Sequence, residues 1–435
     1  MAWLMRWRPV TVGPETAVAP DERLSWPQTA ALGVQHVIAM FGATVLAPLL
    51  MGFDPNVAVL MSGVGTLLFF FLVGGRVPSY LGSSFAFIGV VIAATGYGGS
   101  GPNPHLAVAL GGIVACGVLY TLIGLVVSAS GSGWVEKLMP PVVTGAVVAV
   151  IGLNLAAVPI KNMAPTPFDA WMQGATFVSV ALVAVFARGM LQRLLILAGL
   201  IQASLIYALL TNGFGLGKPI DLSGVTAAPW FGLPHFQAPV FEGQAMLMIA
   251  PVALILVAEN LGHLKAVGAM TGRDLSPWLG RAFIGDGLAT IVSGASGGTG
   301  VTTYAENIGV MAATRIYSTA VFVVAALMAL VLGFSPKFGA LIQAIPLAVM
   351  GGVSIVVFGL IAVAGARIWV DNRVDFRDPR NLMVAAITLV IGTGDYTLKL
   401  GAFTLGGIGT ATFGAILLQA LLARARPERD TSAVK

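Results

Sequence analysis

Long apolar runs separated by short polar stretches dominate this chain. A helix that crosses a bilayer needs about 20 mostly apolar residues. The clearest candidates are residues 29–51, 56–74, 105–129, 141–158, 171–187, 190–211, 244–265, 316–334, 343–366, 381–393 and 402–423. Three shorter stretches rich in Gly, Ser and Thr, at 80–96, 280–294 and 301–313, bring the predicted total to fourteen spans. The pattern therefore predicts an all-α polytopic membrane protein.

The distribution of Lys and Arg provides an independent test of that count. With the N-terminus in the cytoplasm and fourteen alternating spans, 19 of the 23 Lys and Arg residues lie on the cytoplasmic side. Such a bias is the usual signature of membrane orientation. We therefore expect a multi-pass protein of the bacterial inner membrane, with a cytoplasmic N-terminal segment at 1–28 and a cytoplasmic tail at 424–435.

The order of the spans predicts two halves. An outer loop at 212–243 separates seven spans in residues 29–211 from seven in residues 244–423. Because seven is odd, the second half enters the membrane in the opposite orientation, as in transporters built from inverted repeats. The third and tenth spans, 80–96 and 301–313, are a matched pair of short, interrupted segments. In that class such a pair marks the substrate site.

Composition narrows the possible functions. Charged residues make up only 9% of the chain and hydrophobic residues 57%, whereas a soluble domain carries about 25% charged residues. The net charge of +5 would suit a nucleic-acid partner, but the basic residues lie in short loops, so membrane orientation explains them better. No metalloprotease, hydrolase or nucleotide-binding motif is present. We expect a transporter in contact with lipid, with no enzymatic activity, no metal and no nucleic-acid partner.

Three titratable side chains lie deep within apolar sequence. Glu259 and His263 are four residues apart in PVALILVAENLGHLKAV, so they share one helix face. Glu306 lies within the interrupted tenth span. Ionisable residues at membrane depth are costly and mark transport pathways by default. The alternative, in which the acids only tie helices together, is weaker for three such residues than for one.

Uracil fits these groups chemically. Its ring has two N–H donors and two carbonyl acceptors; carboxylates can accept from the former, and free N–H groups of a broken helix can donate to the latter. A buried carboxylate also favours its protonated form, and His263 titrates near neutrality, so protons are expected co-substrates. The proton gradient would then drive transport without a cofactor. The proton is not assigned to a single residue.

Four other residues are weaker candidates. Gln35 and His36 lie in the first span, which is the counterpart of the Glu259 span in the second half. Either can act as a hydrogen-bonding group behind the site, and simple packing is an equal alternative for His36. Asp286 is another intramembrane acid. Phe85 lies in the other interrupted span, where an aromatic ring can stack on a base.

Several segments resemble the nucleobase–ascorbate transporter family. The segment ENIGVMAATR matches the family signature at Glu306, Asn307, Gly309, Thr314 and Arg315. Three further segments, QHVIAMFGATVLAP, YLGSSFAF and AENLGHL, resemble the uracil-transporting branch of that family. The likeness extends from about residue 20 to residue 423.

The resemblance implies a core domain and a gate domain, usually in a homodimer. Substrate would lie between the interrupted spans, with Glu259 and Glu306 on the base edge. Backbone at Phe85 and Ala305 would meet the carbonyls. His263 would tune the site and Asn307 would shape it.

Two departures from the pattern widen the expected substrate range. Gly300-Val301 stands where uracil members often have Pro-Asn, and an acid at the position of Asp286 is common among purine members. The expected substrate is uracil, with thymine and xanthine left open. A purine permease, an anion exchanger and a channel on the same architecture are the alternatives. An anion exchanger fits less well, because two acids would repel the substrate, and a channel needs no buried titratable pair.

Overall fold

The computed structural model describes residues 6–11, 17–98, 101–188, 192, 194–400 and 403–423. The described helices are α1 Trp26–Met51, α2 Pro55–Leu72, α3 Ala86–Thr95, α4 Leu106–Ser130, α5 Gly133–Leu138, α6 Pro141–Leu155, α7 Ala157–Asn162, α8 Pro167–Phe186, α9 Leu195–Ala208, α10 Ser223–Ala227, α11 Gly243–Ile249, α12 Val252–Thr271, α13 Leu279–Ala295, α14 Ala305–Thr314, α15 Thr319–Gly333, α16 Pro336–Gln343, α17 Leu347–Asp371, α18 Pro379–Thr393 and α19 Gly407–Leu422. Short strands are β1 Arg8–Pro9, β2 Glu22–Arg23, β3 Leu81–Ser83, β4 Val301–Thr303, β5 Leu398–Leu400 and β6 Phe403–Leu405. The protein is thus predominantly helical, as the apolar runs predict.

A helix lies within each of the fourteen predicted spans. In the described part of the chain, eight helical segments are long and apolar enough to cross a membrane, or nine if α15 and α16, bent by 82°, form one broken span. Three shorter apolar helices, α3, α18 and α19, accompany them. The structure establishes a multi-span membrane protein, and the number fourteen stays a prediction.

Several helices begin with the same short signal, a polar residue followed by proline. Proline at the first helical position has the right φ and no N–H to leave unpaired, while the preceding oxygen accepts from a free amide of the first turn. Side-chain caps of this kind begin α2, α8, α16 and α18, at Asp54-Pro55, Thr166-Pro167, Ser335-Pro336 and Asp378-Pro379. Local sequence therefore fixes where these helices start.

Two predicted segments contain local structure that the apolar pattern did not specify. The predicted span 244–265 consists of two helices, α11 and α12, with Pro251 between them. A proline inside a helix removes one backbone hydrogen bond and breaks the regular ladder. The predicted outer loop 212–243 is not wholly irregular, because it contains the short helix α10.

The two interrupted spans meet in a small antiparallel ladder. Strand β3 pairs with β4 in the register Leu81–Thr303, Gly82–Thr302 and Ser83–Val301. Beyond the strands, Ser84 N donates to Gly300 O (2.9 Å) and Tyr304 N donates to Tyr80 O (3.0 Å). The short helices α3 and α14 follow β3 and β4 directly. Each therefore starts inside the protein, next to the ladder.

A threonine from a neighbouring helix holds the first residue of each strand. Leu81 N donates to Thr66 Oγ1 of α2 at 2.9 Å. Val301 N donates to Thr290 Oγ1 of α13 at 3.2 Å. Both threonines are buried. Because a buried N–H without a partner is costly, each threonine stabilises its end of the ladder.

The helices pack in two groups on either side of α12. The first bundle comprises α1–α4, α11 and α13–α15, in which α4 lies along α13 and α2 lies along α15. The second bundle comprises α6, α8, α9 and α17–α19, in which α6 packs on α17, α18 and α19. Helix α12 contacts α4 of the first bundle and α6 of the second. It therefore lies where the bundles meet.

Glycines allow the close crossing of α4 and α13. A Cβ added to Gly117 would come within 2.8 Å of the Gly287 carbonyl oxygen. One at Gly124 would come within 2.9 Å of the Gly280 carbonyl oxygen. Small residues at such spacing let membrane helices approach backbone to backbone, where van der Waals contact replaces the hydrophobic effect.

Candidate functional site

Glu259 and His263 extend from α12 at the junction of the two bundles. They lie one turn apart, and both side chains are partly exposed although the neighbouring Ala258 and Leu261 are buried. His263 Nδ1 lies 2.8 Å from Thr303 Oγ1, at the end of β4. This contact ties the helix that carries Glu259 to the central ladder.

Glu306 occupies the second position of α14, directly after the ladder. The side chain is partly exposed, while Ala305 and Gly309 on the same helix are exposed. A carboxylate in the first helical turn is stabilised by the free N–H groups and the positive end of the helix dipole. Helix α14 contacts α12, the helix that carries Glu259. The structure thus brings together two acids that are 47 positions apart in the sequence.

No basic side chain forms an ion pair with either acid among the described residues. The ion pairs in the described part of the chain are Arg8 with Asp21 and Glu22, Lys265–Glu136, Arg273–Asp21 and Arg380–Asp378. All of them lie outside the central ladder. The carboxyl oxygens of Glu259 and Glu306 are therefore available as acceptors for donors on a ligand, or as sites for protons.

Phe85 lies at the start of α3, a helix that contacts α12. Its side chain is 9% exposed, and its ring meets that of the buried Phe358 edge to face at 6.0 Å. Phe358 belongs to α17 of the second bundle. This aromatic pair therefore joins the segment after β3 to the second bundle.

His36 and Asn307 form a buried contact behind Glu306. Asn307 Nδ2 lies 2.9 Å from His36 Nδ1 and donates to the His36 carbonyl oxygen at 3.1 Å. The His36 ring also lies 4.6 Å from the ring of Phe322. Gln35 is buried as well, and its Nε2 has no hydrogen-bond partner among the described residues. These contacts hold α14 against α1 and do not reach the exposed face that carries Glu306.

Asp286 is separated from this cluster by α12. It is fully buried in the middle of α13 and accepts from Asn260 Nδ2 at 2.5 Å. Asn260 follows Glu259 in sequence but points to the other side of the helix, toward α13. Asp286 is therefore linked to α12 through its hydrogen bond with Asn260, and it lies behind the site.

Sequence reasoning missed three side chains that shape the site: Thr303, Tyr304 and Phe358. The Tyr304 hydroxyl donates to the Ser83 carbonyl oxygen (2.9 Å) and contacts Thr44 Oγ1 (3.2 Å), which fixes the turn before Glu306. The position of Thr303 and Tyr304 just before a half-helix was a usable signal. Phe358 carries no such signal, because it lies in an ordinary apolar run.

A membrane protein whose two interrupted spans meet in its interior, beside paired acids, has an arrangement expected of a transporter. Comparison with known sequences specifies this class. The family model Xan_ur_permease, described as "Permease family", matches residues 27–401. The chain therefore belongs to this family of permeases, and the resemblance noted in the sequence is confirmed.

Curated relatives match nearly the whole chain. The "Putative pyrimidine permease RutG" of Escherichia coli (strain K12) is 68% identical over 407 residues, covering 94% of this chain and 92% of the relative. The "Uracil permease" of the same strain is 40% identical over 425 residues, covering 95% and 96%. That of Bacillus caldolyticus is 43% identical over 419 residues, covering 92% and 94%. These relatives are transporters, and so is this protein.

Solved structures share the fold at much lower identity. The transmembrane domain of the cyanobacterial bicarbonate transporter BicA superposes with a TM-score of 0.60 at 14% identity, covering 90% of this chain and 96% of that one. The murine anion transporter Slc26a9 in its inward-facing state gives a TM-score of 0.63 at 13% identity, covering 96% and 76%. At such identity the likeness establishes the fold alone.

Proposed function

We propose that this permease imports uracil, or a close pyrimidine analogue, by proton symport across the bacterial inner membrane. One observation carries the proposal: Glu259 and Glu306 are both partly exposed and lie on α12 and α14, two helices that contact each other where the bundles meet. The names of the relatives, pyrimidine permease and uracil permease, support the substrate class.

The proposed binding mode follows from the hydrogen-bonding groups of the base. Uracil N–H groups donate to the carboxyl oxygens of Glu259 and Glu306. Its carbonyl oxygens accept from free backbone N–H groups at Phe85 and Ala305, where α3 and α14 start. The ring packs against Phe85 and Phe358, which lie at van der Waals range from each other. Each polar edge of the base then has a partner, which a desolvated site requires.

Proton coupling follows from the closeness of the two acids. Two carboxylates at short range repel each other in a poorly solvated site, so one shared proton relieves the repulsion. Substrate and proton would enter together from outside and leave together inside. His263 would orient Glu259 and the ladder through Thr303, with Gln35, His36, Asn307 and Asp286 supporting the site from behind.

The inverted-repeat architecture is part of this proposal, and the ladder supports it. The bonds Ser84 N to Gly300 O and Tyr304 N to Tyr80 O exchange under a two-fold rotation. So do the threonine contacts at Leu81 and Val301. The pairing of α2 with α15 and of α4 with α13 is exchanged by the same operation. We propose fourteen spans with cytoplasmic termini, the first bundle as core domain and the second as gate domain; a homodimer stays a prediction.

Uptake of radiolabelled uracil tests this proposal, in cells that lack their own uracil transporters. Saturable uptake that a protonophore abolishes, and that thymine or unlabelled uracil inhibits, is the expected result. Competition by xanthine instead would indicate a purine permease. Uptake that ignores the proton gradient would contradict symport. Inhibition by bicarbonate or sulfate would favour the alternative of an anion exchanger.

A further inference from the structure

Residues 17–23, here named the N-terminal strap, run along the connection between α14 and α15. Val18 N donates to the Arg315 carbonyl oxygen at 3.0 Å, and Tyr317 N donates to the Val18 carbonyl oxygen at 2.9 Å. Thr319 N donates to the Pro20 carbonyl oxygen at 3.1 Å. The Val18 side chain is fully buried. The strap is thus bonded like an added strand and is not a loose tail.

The strap meets α14 where the backbone reverses. Arg315 ends this helix in the left-handed region, with φ 55°. A residue with a β-carbon adopts that conformation only where its surroundings hold it there, and the bond from Val18 supplies such a restraint. Glu306 lies nine residues earlier on the same helix, about 13 Å away at 1.5 Å per residue. A shift at the strap is therefore transmitted along a short rigid helix to Glu306.

A second contact joins the strap to the helix that carries Glu259. Asp21 accepts a hydrogen bond from Arg273 Nη2 at 2.5 Å, and Arg273 lies in the turn that follows α12. Arg8 Nη2 also contacts Asp21 at 3.0 Å. The hydrogen bond from Arg273 lowers the pKa of Asp21 below its ordinary value. The carboxylate therefore stays charged, and the pair intact, throughout the cytoplasmic pH range.

We propose that the N-terminal strap positions Glu306 relative to Glu259 by holding the far ends of α14 and α12 together, with Asp21 and Arg273 as its ionic fastener. Both are positioning residues, since neither reaches the site. This inference rests on the proposed function insofar as the two acids bind the substrate. It adds that a segment outside the membrane sets the affinity of the site.

Two matched sets of variants test the strap in the full-length protein. Asp21→Asn and Arg273→Gln each remove the Asp21–Arg273 ion pair. The double variant Asp21→Arg with Arg273→Asp restores it with reversed charges; it is made in an Arg8→Gln background, with Arg8→Gln alone as its control, because Arg8 contacts Asp21 and would repel an arginine at that position. Val18→Pro removes the N–H that bonds Arg315, whereas Val18→Ala keeps it. The readouts are the Kd for uracil in detergent and hydrogen–deuterium exchange of the amides in α14.

Both ion-pair partners are partly exposed, with side-chain exposures of 36% and 43%. The single variants should therefore weaken uracil binding only about two- to fivefold, as for other half-exposed pairs. The reversed pair should recover affinity. Val18→Pro should weaken binding more than Val18→Ala and should speed exchange in α14.

An unchanged Kd in Asp21→Asn and Arg273→Gln would overturn the proposal, as would a reversed pair no better than either single variant. If Val18→Pro fails to fold, the charge variants decide the matter alone. If the wild-type protein binds no uracil, the proposed substrate is wrong. Exchange in α14 then still tests the strap: faster exchange in Asp21→Asn supports it, and unchanged exchange refutes it.

Discussion

The half-helices α3 and α14 share a frame but differ in chemistry. Each has ten residues, follows a three-residue strand and ends in a left-handed residue, Gly96 or Arg315. The first turn of α3 contains no acid and most of the helix is buried, whereas α14 carries Glu306 beside exposed Ala305 and Gly309. One half-helix therefore offers an aromatic wall and the other a charged, accessible edge. The half-helices α3 and α14 thus have similar backbones, and a few side chains give them different chemistry.

The largest loss of uracil uptake should follow from neutralising Glu306 on α14. Glu306→Gln removes an acceptor and the proton site while keeping the shape of the side chain. We expect uracil uptake to fall by about 100-fold or more, because a site built to hydrogen-bond its ligand loses strongly when one partner is mismatched. Membrane protein level must stay normal, and Glu242→Gln, at an exposed helix start, is the matched control. Near-normal uptake would refute a direct role for Glu306.

A comparable change at Glu259 separates binding from coupling. We expect Glu259→Gln to reduce uptake to a similar extent, because its carboxylate shares the site with Glu306. Uptake should be measured at acid and neutral pH, together with equilibrium binding of uracil. If binding survives and the pH dependence vanishes, Glu259 carries the proton and does not hold the base.

The aromatic side should give a smaller loss. Phe85→Ala removes one ring of the pair with Phe358, and we expect the KM for uracil to rise about tenfold, within the range of 1–3 kcal/mol for stacking on a base. Phe85→Leu should recover part of it. Phe358→Ala should cost less when Phe85 is already absent, because both rings then act on one surface. Additive losses would show that the rings act separately.

The smallest effects should come from the shared frame itself. Thr66→Val and Thr290→Val each leave a ladder N–H without its partner, at a cost of about 1–3 kcal/mol in the free energy of unfolding. If the two halves are equivalent in structure, thermal unfolding in detergent should show similar losses for both. A large loss of thermal stability in only one of the two variants would show that the two ends of the ladder are not structurally equivalent.

Most of the helices could be predicted from the sequence, because the apolar run that specifies a membrane helix is local. Each apolar run contains a helix, and the acids flagged at Glu259 and Glu306 come together. The β3–β4 ladder was not predicted as strands, since LGS and VTT are too short to show an alternating pattern and their partners are about 220 positions apart. The contact of Phe358 with Phe85 was not predicted either, because the two residues lie far apart in the sequence and in different bundles. Helix α16, which bends 82° from α15, also lies in sequence that had been assigned to a loop.

The crossing of α4 and α13 has a mechanical consequence. At Gly117 and Gly124 the two backbones lie in direct contact, and the side chains of Ile291 and Ile284 on α13 pack against the same glycines. We therefore expect α4 and α13 to move together as one rigid unit within the first bundle. In the proposed transport cycle, relative movement would then occur where α12 contacts α6, while α4 and α13 would move together.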